Sequence, residues 1–273
     1  MSATPIPRTV GLVMFCDLDI STIDELPSGR GKVNTYFVDE NYEERYMNFI
    51  KKHISEGRQA YIICPLVDES DTLELQSVIN LYERLKERYF QDVGIEFIHG
   101  KIKPVVDKDR IMKNFENRKI KVLVATTVIE VGINVPNSNI MVIYNAERFG
   151  LSQLHQLRGR IGRGNYESFC ILVSNNKSTN VKKRMDIMCS SNDGFYISEQ
   201  DFLLRGYGDI LGYRQSGEAR FKILNIQKDY ELLKSAIKYV DEILKDDFNF
   251  DKEENQVVKR NVDEFIQNLL KKI

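Results

Sequence analysis

Between residues 33 and 173 the chain alternates short apolar runs with longer amphipathic or charged segments: VNTYFV, then 41–56; QAYIIC, then 71–90; VGIEFIH, then 104–118; KVLVAT and NIMVIY; then 151–162 and SFCILV. Strands alternating with helices in this way predict a mainly parallel sheet covered on both faces, an α/β fold. In such sheets the working loops lie at the carboxyl ends of the strands. Those ends are Pro65 onward, His99-Gly100, Thr126-Thr127 and Asn145-Ala146, and the chemistry is expected there.

After Val173 the pattern changes to a charged helix around 178–190, a glycine-rich irregular stretch GYGDILGYRQSG at 206–217, and helical segments near 227–245 and 254–272. In the last, Val258, Val262, Phe265, Ile266, Leu269 and Leu270 recur at helical spacing, which predicts that it packs on the body of the protein. A boundary is expected near residue 175.

The 273 residues are 42% hydrophobic and 29% charged, a composition that folds. Lys and Arg number 39 against 40 Asp and Glu, so any surface for a polyanion must come from local clustering. Cys16, Cys64, Cys170 and Cys189 form no C-x-x-C and the three histidines no H-E-x-x-H, which argues against a disulfide framework or a zinc site and for buried, reduced thiols. No apolar run approaches the roughly 20 residues that span a bilayer, and the N-terminus lacks a secretory pattern, so a cytoplasmic protein without a membrane partner is expected.

The most informative segment is QLHQLRGRIGRG, residues 153–164. As a helix it would place Gln153, Gln156, Arg160 and Arg163 on one face and Leu154, Leu157 and Ile161 on a neighbouring one. Two arginines fixed near the sheet's carboxyl edge would suit the charge that develops on a transferring phosphoryl group. The bland alternative is a solvated basic helix, which gives no reason for Gly159, Gly162 and Gly164, each costing about 1 kcal/mol relative to alanine.

The run Q-L-R-G-R-I-G-R matches the Q-x-x-G-R-x-G-R signature of the second ATPase lobe of superfamily 2 helicases. The longer stretch ATTVIEVGINVPNSNIMVIYNAERFGLSQLHQLRGRIGRG resembles the bacterial RecG family of ATP-dependent DNA helicases. The resemblance extends to MSATPIPRT, similar to motif III, to YIICPLVDES, and to SNDGFYISEQDFLLRGYGDILGYRQSG, similar to the translocation element that follows the ATPase lobes. It covers roughly residues 1 to 225.

That resemblance implies a RecA-like lobe over 31–175, preceded at 1–30 by the tail of a first lobe or inter-lobe linker and followed at 176–273 by a mainly helical translocation element and C-terminal helices. Arg160 and Arg163 would be arginine fingers toward ATP, supported by Gln156. Thr126-Thr127 through Gly132 and Asn134 looks like motif V, with Thr126 and Thr127 toward the DNA backbone and Gly132 and Asn134 toward the nucleotide. Asn134 stands where the family commonly has Asp. His99 and Gly100 resemble motif IVa, which faces the tracked strand. Ser2 and Thr4, in the S-A-T of motif III, and Arg184, Arg205 and Gln215 in the translocation element would couple nucleotide state to DNA movement. Tyr207, Asp209 and Tyr213 replace the family's usual Pro, Glu and Thr.

Two look-alikes are set aside. Asp68-Glu69-Ser70-Asp71 spells a Walker B pattern, but Pro65 interrupts the run before it; GYGDILG has the wrong spacing for a dinucleotide fingerprint. No G-x-x-x-x-G-K-[ST] occurs. The expectation is therefore a C-terminal fragment, inactive alone, with ATP and Mg2+ held mainly by a missing first lobe. Its partners would be branched DNA, that lobe and an N-terminal DNA-junction-binding domain, and the protein would be a monomer. A transcription-repair coupling translocase and a catalytically inert nucleic-acid-binding module remain as alternatives.

Overall fold

The computed structural model describes residue 23 and residues 31–65, 71–98, 105–126, 135–164, 166–205 and 229–270. Six strands form one sheet: β1 (Val33–Val38), β2 (Gln59–Ile63), β3 (Ile95–Ile98), β4 (Val122–Ala125), β5 (Ser138–Ile143) and β6 (Ser168–Val173). Their order is β1-β6-β5-β2-β4-β3, and every pairing is parallel. The parallel sheet expected from the alternating runs is present.

The inner strands β2, β4, β5 and β6 are buried at every residue, which is why they read as near-continuous apolar runs. The edge strands β1 and β3 keep partly exposed positions, and there the sequence admits Asn34, Thr35 and Glu96.

Helices cover both faces. Ala60, Ile62, Val122, Val124, Ile140 and Val142 point to α1 (Glu43–Ser55) and α2 (Asp71–Arg88), meeting Met47, Ile50, Val78 and Leu85. The alternate residues Tyr61, Leu123, Met141 and Leu172 point the other way. They meet α3 (Val105–Glu116), α4 (Leu151–Arg158), α5 (Thr179–Ser190) and α6 (Gly194–Arg205) through Phe115, Leu154, Leu157, Met185 and Ile197. Each fully buried leucine or isoleucine here contributes roughly 1.5–3 kcal/mol.

The chain divides into two compact units at Leu204 and Arg205. Helices α5 and α6 therefore belong with the sheet, although they follow residue 175. Sequence periodicity does not reveal α6, because Ser198 and Asp201 are buried beside Ile197 and Phe202 and blur its apolar stripe. The described part of the second unit holds α7 (Tyr230–Asp246) and α8 (Gln256–Leu270). On α8, Val258, Val262, Phe265 and Ile266 are exposed, Phe265 by 67%.

Free thiols are present at Cys64 and Cys170, both buried, and at Cys189, which is exposed, unlike the buried thiol expected there.

Candidate functional site

Helix α4 starts after Gly150, whose N–H donates to Gln153 Oε1 at 3.1 Å, so Gln153 caps the helix instead of joining a basic face. Leu151, Leu154 and Leu157 are fully buried and anchor it. The helix ends at Arg158. Arg160 N–H and Ile161 N–H bond the carbonyls of Leu157 and Arg158, a tighter turn, and Gly162 then takes φ +75°. Arg160 and Arg163 thus stand on a turn beyond the helix and share no helical face with Gln156, which is partly buried on α4.

Their location also differs from the sequence expectation. A Cβ on Gly162 would lie 2.9 Å from Val33 Cγ2 and 3.3 Å from the Gly31 carbonyl, and one on Gly164 would lie 2.5 Å from the Pro136 carbonyl. Val33 opens β1 and Pro136 precedes β5, so this turn sits at the amino edge of the sheet and not at its carboxyl edge. The physical reason is directional: a helix connecting parallel strands runs back against them and must end where the next strand begins. Gly162 and Gly164 are accounted for by this close approach and by the left-handed residue, whereas Gly159 ends α4 in an ordinary right-handed conformation that any residue adopts.

Both guanidiniums act on one phenol. Tyr61, inside β2, is pushed well above the ordinary tyrosine range by burial, with Arg160 and then Arg163 opposing the shift. Arg163 Nε also donates to the Gly159 carbonyl at 3.2 Å. Both side chains are partly exposed, as a phosphate contact requires.

Helix α4 is tied at three points. Arg158, only 3% exposed, donates to the Met188 carbonyl on α5 at 2.7 Å and to Thr35 Oγ1 on β1 at 3.2 Å. Arg184 on α5 donates to the carbonyls of Glu147, at 3.0 Å, and Phe149, in the turn that leads into α4. Ser152 Oγ donates to Asp201 on α6 at 3.0 Å. Sequence reading singled out Arg184 but not Arg158 or Asp201; a buried arginine in a basic run carries no local mark of its burial.

The carboxyl edge holds a different set. Thr126 follows β4 and is completely buried, and its Oγ1 finds no hydrogen-bond partner among the described residues. Nearby, Tyr46 OH donates to Tyr144 OH at 3.3 Å, Tyr144 OH to Glu43 Oε1 at 2.7 Å, and Arg84 Nη1 to Glu43 Oε2 at 2.8 Å. Burial, reinforced by Tyr46 and then by the Glu43 carboxylate, raises the Tyr144 phenol far above its usual range. The network walls a cavity of about 400 Å3 that also touches Cys64, Pro65 and Asn145. Neither Glu43 nor Arg84 was visible as a site residue in the sequence.

Thr126 and the two arginines therefore lie at opposite edges of the sheet, about one strand length or roughly 13–20 Å apart. Ser2, Thr4, His99, Gly100, Thr127, Gly132, Asn134 and Gln215 lie outside the described residues, as does the look-alike stretch before Asp71. Arg205 closes α6. Among the described residues no three His, Cys, Asp or Glu side chains gather as a metal site, and no helix is long and apolar enough to cross a membrane.

The helicase conserved C-terminal domain matches residues 43–165, and the C-terminal part of domain 3 of the ATP-dependent DNA helicase RecG matches residues 191–271. The Bacillus subtilis ATP-dependent DNA helicase RecG is 49% identical over 236 residues, which are 86% of this chain and 34% of that protein. The chain belongs to the RecG helicase family. The RecG of Synechocystis sp. is 42% identical over 251 residues, 92% of this chain and 30% of that protein. A solved structure of RecG bound to a three-way DNA junction is similar at a TM-score of 0.67 and 40% identity, covering 86% of this chain and 30% of that one. The chain spans about a third of the length of the RecG relatives it matches. These matches favour RecG over the transcription-repair coupling translocase, and the six-stranded parallel sheet is the RecA-like lobe expected of it.

Proposed function

We propose that this chain is the second motor lobe and translocation element of a cytoplasmic, monomeric, ATP-dependent DNA helicase that remodels branched DNA. The observation that carries the reading is the pair Arg160 and Arg163, held partly exposed on a glycine-hinged turn whose helix is tied down at both ends. A fixed guanidinium is not neutralised and offers planar donors to phosphate oxygens as charge develops on them.

The residues suit a triphosphate contributed across a cleft: Arg160 and Arg163 would meet its phosphates, with Gln156 in support and Gly132 and Asn134 on the same nucleotide side. ATP would supply the transferable phosphoryl group and Mg2+ would neutralise phosphate charge, with ligands on a first lobe. Beyond the carboxyl ends of the strands, Thr127, His99 and Gly100 would meet the DNA backbone, with the buried Thr126 supporting that strand end from beneath. Arg184 would couple the two, because its hydrogen bonds join α5 to the turn that opens α4; Ser2, Thr4, Arg205 and Gln215 would act with it. The solved RecG relative bound to a three-way junction supports branched DNA as the substrate.

The test uses the full-length protein carrying this chain. Arg163→Ala is expected to lower ATP turnover on the order of 10^3-fold or more, as loss of an arginine finger does, while junction binding is retained. Normal hydrolysis by that variant would favour an inert nucleic-acid-binding module.

A further inference from the structure

The amino edge carries a second feature beside the arginine turn. Tyr166 lies two residues before β6 and is 47% exposed, although one face of its ring is covered by Arg58, whose Cζ is 3.1 Å from the ring centroid. Arg58 is anchored in turn: its Nη1 donates to Asn137 Oδ1 at 3.4 Å. Asn137 is buried and donates from Nδ2 to the Gly57 carbonyl at 2.9 Å and to Gln59 Oε1 at 3.0 Å. Gln59 is itself fully buried, donating to the carbonyls of Phe115 and Ile120. The ring therefore rests on a cation that the core of the domain holds in place, while 47% of the residue is exposed.

An aromatic ring backed in this way is a rigid stacking surface. A guanidinium on one face draws on the ring's electron density and favours a π-face on the other. The surroundings do not suit an apolar partner, since Asn34 donates to the Glu167 carboxylate at 2.7 Å immediately beside it. They suit a planar, polar-edged group. Tyr166 is three positions after Arg163, so their Cα atoms are at most about 11 Å apart, and Gly164 between them is pressed against the Pro136 carbonyl at the same edge.

We propose that Tyr166, backed by Arg58, is the stacking face for the base of the nucleotide whose phosphates Arg160 and Arg163 meet. This rests on the nucleotide-cleft reading above and adds a base-binding residue to it. The DNA strand is the less fitting occupant, because Thr126, in the segment assigned to DNA, follows β4 at the carboxyl edge.

The deciding experiment measures steady-state ATP hydrolysis by the full-length protein and its inhibition by inorganic tripolyphosphate, which has phosphates but no base. Tyr166→Ala is expected to raise KM for ATP about 10-fold, the scale of one lost base stack, with kcat little changed, as uniform binding predicts. Tyr166→Phe and Tyr166→Trp should retain the original KM. The inhibition constant of tripolyphosphate should be the same with and without Tyr166. An unchanged KM in Tyr166→Ala overturns the proposal, as does equal weakening of ATP and tripolyphosphate, or lost DNA binding at an unaltered KM. Arg163→Ala, by contrast, should weaken tripolyphosphate. If it does not, the arginine-finger reading fails, and the comparison of ATP with tripolyphosphate still decides the role of Tyr166.

Discussion

Arg158, at the last turn of α4, donates from Nη1 to the main-chain carbonyl of Met188 on α5 at 2.7 Å. The same guanidinium reaches Thr35 on β1 and lies 3.2 Å from His155 Nδ1. Arg184 makes the corresponding bond in the other direction, from α5 to the turn before α4. Through these contacts the arginine turn after α4 is positioned by a helix that lies later in the chain, and a shift of α5 would be transmitted to Arg160 and Arg163.

Replacing Arg158 by alanine leaves a buried carbonyl without its donor and removes packing around a 3%-exposed side chain. The expected loss is about 2–3 kcal/mol. Arg158→Lys should recover little of it, since a single ammonium cannot reproduce the planar fork. Urea unfolding of the two variants checks both, and equal stability of Arg158→Ala and the parent would refute the clamp.

The glycines make a graded series. Gly164→Ala drives a Cβ into the Pro136 carbonyl and Gly162→Ala adds a left-handed backbone to a contact with Val33, so each should cost about 2 kcal/mol or more. Gly57 also has positive φ, but nothing lies within 4 Å of a Cβ there. Gly57→Ala should cost about 1 kcal/mol, the backbone preference alone. Denaturation midpoints for the three would show whether space or backbone dominates at the amino edge.

Alkaline pH should destabilise the sheet domain. Burial raises the phenols of Tyr46, Tyr61 and Tyr144 above their ordinary value of about 10. The native state then keeps protons that the unfolded chain releases, so these groups leave stability intact below about pH 10 and diminish it as pH rises further toward their folded values. Tyr61→Phe should flatten the fall in unfolding free energy between about pH 9 and 11. A slope unchanged from the parent would count against the burial of that hydroxyl.

Asp247 organises the link between α7 and α8: its carboxylate accepts from the N–H groups of Asp251 and Lys252, at 2.8 and 2.9 Å, and from Asn255 Nδ2 at 2.8 Å. Chiefly through Asn255, these bonds hold its pKa below the usual carboxylate value. Its contribution is therefore complete above about pH 4 and fades as pH falls through the lowered folded value. Asp247→Ala should accelerate hydrogen exchange at the amides of Asp251 and Lys252 at neutral pH, with exchange in β2 and β5 unaffected.

The parallel sheet was legible in the order of residues because its inner strands are buried on both faces, and such burial leaves unbroken runs like QAYII and SFCILV. The arginine-bearing segment was equally plain from its glycines and charges. Where that segment stands was not. A helical period drawn through residues 153–164 places Arg160 beside Gln156, and nothing local announces that the helix stops at Arg158 or that its end meets Val33 and Pro136, which lie about 130 and 30 residues earlier. Arg158 was hidden for the same reason: in a row of basic residues the one that folds inward is chosen by the acceptors that reach it, here the Met188 carbonyl and Thr35, and these come from distant strands and helices. Period and composition are properties of one segment, whereas edge, burial and partner arise from how segments pack, and the chemistry of this lobe depends on the second kind.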